Sequence, residues 1–134
     1  MKKIKTSITT ITALLLTVLF LVGCTSVTVG SFSSKYFNND DYDSAVEEVQ
    51  IYFKDFKGCT LSKIGYAGDD AVKEEAKERN LAAEQVMVLT TTFTTDEDVD
   101  YDGLKPNETY EDYQWILTRN TSIDLWEIEE HGAD

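Results

Sequence analysis

Asn38–Gly58, "NNDDYDSAVEEVQIYFKDFKG", is the stretch on which the fold turns. Tyr42, Val46, Val49, Phe53 and Phe56 follow one another at spacings of three and four residues, a single apolar stripe at helical period. Asn38 suits an N-cap, because its side chain can accept from backbone N–H groups that have no partner within the helix. Asp41, three residues on, can complete a capping box. The acidic first turn complements the positive end of the helix dipole, Lys54 and Lys57 the negative end, and Gly58 ends the helix. The aromatic half of this stripe is expected to fill a core.

Downstream, Cys59–Gly68 ("CTLSKIGYAG") reads as a strand with a bulge. Asp69 or Asp70 is expected to cap a second helix through Asn80, whose apolar side is only Ala71, Val72 and Ala76. Glu84–Phe93 ("EQVMVLTTTF") has apolar groups on both faces, as a central strand covered on two sides requires. Thr109–Asn120 and Ser122–Glu130 read as a hairpin. An even loop puts Tyr113, Trp115, Leu117, Trp126 and Ile128 on one face. Ile116, Ile123 and Leu125 fall on the other, which the second helix or another chain, as in a weak homodimer, must cover. The prediction is an α+β domain over 38–132: a long N-terminal helix and a short second helix packed on a curved, mainly antiparallel four-stranded sheet.

Upstream, Lys2, Lys3 and Lys5 precede an apolar run that ends at Leu21-Val22-Gly23-Cys24. A basic start followed by a short apolar core ending in small residues describes an export signal rather than a lasting span. The ending resembles the bacterial lipobox, so residues 1–23 are expected to be removed and Cys24 to carry a diacylglycerol. Two acyl chains give stable anchoring, which puts the protein on an extracytoplasmic membrane face. Residues 24–37, small and polar at first, are expected to form the tether.

The 134-residue chain has 25 acidic against 12 basic residues, a formal charge of −13. Three of the basic residues lie in the leader. Phosphate backbones would repel such a surface, so nucleic acid is not an expected partner. With Cys24 acylated, Cys59 is the remaining thiol and reads as a small core residue.

The lipobox, "YFKDFKGCTLSKIGY", "VMVL", "DGLKPNETY" and "YQWILTRN" together resemble a family of Firmicutes lipoproteins with a cystatin-like domain, near the nuclear-transport-factor-2-like rolls. The resemblance runs from about Lys35 to Gly132. It implies a roll with no assigned enzyme activity, and a recurring pattern at Cys59, Tyr66, Asn107, Tyr110, Trp115 and Arg119. The acidic loop departs from the Ser/Gly-rich loop of that family.

Two sites stand out. Asp98, Asp100 and Asp102 with Gly103 begin like a calcium loop, in which alternating carboxylates wrap a hard cation, but Thr109 stands where the closing glutamate belongs. A weak calcium site and an unliganded acidic turn are both compatible with this pattern, and no other cofactor is expected. Tyr66, Tyr113, Trp115, Arg119 and Trp126 could line a pocket between helix and sheet, or their rings could fill the core. His131, near the chain end, is expected to be an exposed tail residue. No nucleophile–base pair is evident, so the expected function is non-catalytic: a surface domain binding a protein or peptide partner, or structural at the cell envelope. The alternative is a module for a small molecule or weakly bound calcium.

Overall fold

The computed structural model describes residues 26–133, and Cys24 with its leader lies outside them. The chain runs β1 (Thr28–Val29), α1 (Asn39–Asp55), β2 (Cys59–Tyr66), α2 (Asp69–Arg79), a 3-10 turn (Ala83–Gln85), β3 (Val86–Thr95), β4 (Thr109–Thr118) and β5 (Glu127–Gly132). The α+β class holds, with two helices on one open sheet. The sheet has five strands rather than four, in the order β1-β2-β3-β4-β5, and is mixed because β1 lies parallel to β2. The long helix is therefore not the first element.

The extra strand comes from the expected tether. Thr28 and Val29 pair with Lys63 and Ile64, and Phe37 is buried. Phe32 stacks on Tyr42 at 4.4 Å, and the Tyr42 hydroxyl donates to the Gly30 carbonyl. Asp69 accepts from the Ser34 hydroxyl, the Lys35 amide and the Tyr66 hydroxyl. These donors hold its carboxyl below the usual range, the Lys35 amide most of all. Apolar side chains spaced through a polar stretch thus dock it along the sheet edge.

Helix α1 begins as its sequence dictates: Asn38 and Asp41 form a reciprocal capping box, each side chain accepting from the other's amide at 2.9 Å. Helix α2 differs from expectation. Gly68 is its N-cap, with no side-chain hydrogen bond, because Asp69 is engaged by residues 34–35 and Tyr66. Gly58 has φ +75°, and a Cβ there would stand 2.4 Å from the Val99 amide nitrogen. Only glycine lets the acidic loop close against the end of α1.

The sheet is covered on both faces. Met87, Leu89, Phe93, Tyr113, Trp115 and Leu117 meet α1, whereas Val86, Val88 and Ile116 point the other way, and all are buried. Helix α2 covers that second face with Val72 and Ala76, tied down by Arg79 to Glu130, which lies opposite Ile116. Ile123 and Leu125 do not join Ile116. The final strand starts at Glu127, not Ser122, and both side chains sit in the β4–β5 loop, 91% and 80% exposed. Among the described residues, no helix is long and apolar enough to cross a membrane.

Candidate functional site

The five residues expected to share a pocket separate into two groups along α1. At its N-terminal end Phe37 stands between Tyr66 and Trp126, with ring centroids 6.3 and 5.8 Å away. Arg119 is 7% exposed and bonds Asp41 at 2.8 Å and the Glu84 and Ser122 carbonyls, with its guanidinium 4.1 Å from the Trp126 ring centre. The Trp126 indole donates to the Asp41 carbonyl. Arg119 is a clamp between α1, the 3-10 turn and the β4–β5 loop, its Nε and Nη1 groups donating to the protein. Burial, then the hydrogen bond to Asp69, raises the Tyr66 pKa. These rings are core.

Tyr113 and Trp115 belong to the second group, at the C-terminal end of α1. The Trp115 indole donates to Thr91 at 2.8 Å, and its ring packs on Tyr52, Phe53 and Phe56. His131, expected in an exposed tail, lies half-buried here. It pairs opposite Trp115 and stacks on it at 4.4 Å. Its Nδ1 is 2.8 Å from the Tyr113 hydroxyl, and its Nε2 is 2.9 Å from Tyr52 and 3.3 Å from Tyr101. One imidazole therefore meets three phenols. Burial lowers the His131 pKa and raises those of Tyr52 and Tyr113, so all are uncharged at neutral pH.

A β-bulge brings the histidine in. Leu117 pairs with Ile128 and Ile116 with Glu130, so Glu129 is extra and the alternation reverses beyond it. Ile128 and His131 consequently share the α1 face, three residues apart. Strict alternation would have turned His131 outwards. Tyr52 escaped notice because it lies one position beside the helical stripe, and Tyr101 because it comes from a loop.

Cavities flank this cluster. One of about 440 Å³ is lined by Tyr101, Asp102, Leu104, Tyr113 and His131 among others. Another of about 480 Å³ lies across Tyr101, against Tyr52, Phe56 and Lys57. A groove of about 570 Å³ between α1 and the β2 edge includes Val27, Phe53 and Cys59. Burial pushes the Cys59 thiol up to about 11, which leaves it a poor nucleophile.

Asp98, Asp100 and Asp102 all lie exposed in the β3–β4 loop. The Asp98 amide donates to Asp96 at 2.7 Å, an internal turn contact. Among the described residues no three acidic, histidine or cysteine side chains converge as metal ligands. Comparison with protein-family models, curated proteins and solved structures finds no match.

Proposed function

We propose that the chain is a non-catalytic domain on an extracytoplasmic membrane face, anchored by a lipid on Cys24, that binds a protein partner through its β4–β5 loop. The observation that carries this reading is the exposure of Ile123 and Leu125 at the end of the sheet opposite the one where the chain enters β1. Strands β1, β2 and β4 run in one direction, since β1 is parallel to β2 and β3 is antiparallel to both β2 and β4. The chain enters β1 from the Cys59 end, and the β4–β5 loop leaves β4 at the Tyr66 end. Three peptide steps lead from Cys24 to Val27, a reach of at most about 11 Å. The domain would then sit close to the bilayer with its apolar loop directed outwards. Side chains this exposed contribute little to folding, whereas buried against a partner each is worth about 1.5–3 kcal/mol.

A photo-crosslinking residue at position 123 or 125 of the membrane-displayed chain tests this, with Glu78 on α2 as control. One discrete adduct from the loop positions and none from 78 is expected. Absence of loop adducts, or the same adduct from all three positions, overturns the partner site. An intact Met1 on the membrane-bound protein overturns the anchor. A second reading, small-molecule binding, is favoured by the cavity beside His131.

A further inference from the structure

Tyr101 reaches from the acidic β3–β4 loop onto Phe56 and His131, with ring centroids 5.2 Å from each. Tyr101 is itself 41% exposed, and its hydroxyl makes the longest of the three contacts to the imidazole. The 440 Å³ cavity on one side of it has aromatic walls, an aliphatic patch at Leu104 and one charged lining residue, Asp102. Burial keeps His131 and Tyr113 neutral, so Asp102 sets the sign of the site. Ring faces are themselves negative and attract cations. The field of a chain with net charge −13 draws cations in and keeps anions out.

We propose that this cavity binds a small organic ammonium, its charge against Asp102 and the tyrosine faces, its carbon body toward Leu104. The reading goes beyond the partner loop, which lies at the other end of the sheet. An anionic ligand would meet Asp102 with no cationic side chain in the lining to offset it. The phenols and the imidazole already satisfy one another, so the closed cluster persists without ligand. A bound amine would compete for the outer contact that Tyr101 makes. The same ammonium chemistry is offered by a free amine and by an aminophospholipid headgroup. The headgroup source rests on anchoring at Cys24, which brings this end of the sheet toward the bilayer.

The test is calorimetric titration of the full chain in phosphatidylglycerol nanodiscs with tyramine, and with 4-hydroxyphenylacetate, which keeps the ring and reverses the charge. Tyramine is expected to bind and the acid not to. Asp102→Asn and Tyr101→Leu are each expected to weaken tyramine about 3- to 10-fold. Both positions are exposed, and an unchanged thermal midpoint shows that the variants are folded. No tyramine binding, equal binding of the acid, or affinity indifferent to Asp102→Asn overturns the proposal. Nanodiscs with added phosphatidylethanolamine separate the sources. A weaker apparent tyramine affinity there identifies a headgroup in the same cavity, and an unchanged one identifies a free amine.

Discussion

His131 shows how one residue acquires a titration that its position in the chain does not suggest. Phenols from α1, the β3–β4 loop and β4 surround it, and burial favours its neutral form. Its folded pKa lies below the ordinary value of about 6.5. The unfolded chain therefore takes up the proton first as pH falls. The stability held by the neutral ring is complete above the unfolded pKa and is lost as pH drops from there through the folded pKa. Asp69 is depressed below the carboxylate range, so its loss comes at still lower pH. Urea unfolding at about pH 8 and about pH 5.5 should show wild type losing more stability than His131→Gln. Equal losses would mean that the imidazole is already solvated in the fold.

At the scale of elements, α1 organises the core. Its capping box fixes the start, Gly58 and the Val99 backbone fix the end, and the stripe between them delivers Phe53 to the middle. Phe53 is 8% exposed and lies 5.3–5.4 Å, centroid to centroid, from Phe56, Phe93 and Trp115. Truncating a buried phenylalanine costs about 3–5 kcal/mol. Phe53→Ala is expected to lower the urea-unfolding free energy by that amount, and a loss under about 1 kcal/mol would place the helix face outside the core. The hairpin expected from Thr109 to Glu130 is only partly regular. A bulge around Thr91–Phe93 is matched in β4 by Asp112 at φ +55°, and the second bulge at Glu129 turns His131 inwards.

Over residues 26–133 the molecule is a sheet with a helix on each face, and that arrangement decides which of their apolar side chains remain for other molecules. Ile116, 5% exposed, belongs to the interior beneath α2, whereas Ile123 lies free in its loop. Glutamate at 116 would bury a charge opposite Glu130, whose partner Arg79 is already shared with Glu75, at a cost of several kcal/mol. In sedimentation of the full chain in non-ionic micelles, Ile116→Glu is expected to lose its fold, while Ile123→Glu stays folded within about 0.5 kcal/mol of wild type. A wild-type dimer that Ile116→Glu converts to a folded monomer would instead make this face an interface.

What the sequence determined by itself was local: the period and caps of α1, the two-sided burial of β3, and the charge that sets the sign of the surface. These follow from side chains a few residues apart, where backbone geometry alone decides which groups share a face. Tertiary structure decided the rest. Thr28–Val29 became a strand only because the β2 edge was open beside them, and Phe32 and Phe37 found Tyr42 and Tyr66 across the fold. The aromatic residues divided into two clusters because they lie at opposite ends of α1. Asp69 was claimed by residues 34–35 instead of capping its own helix. The histidine site needed a bulge, a loop tyrosine and a helix tyrosine to converge. A bulge inserts one residue against a partner strand far along the chain, so it reverses side-chain direction without leaving a mark in local periodicity.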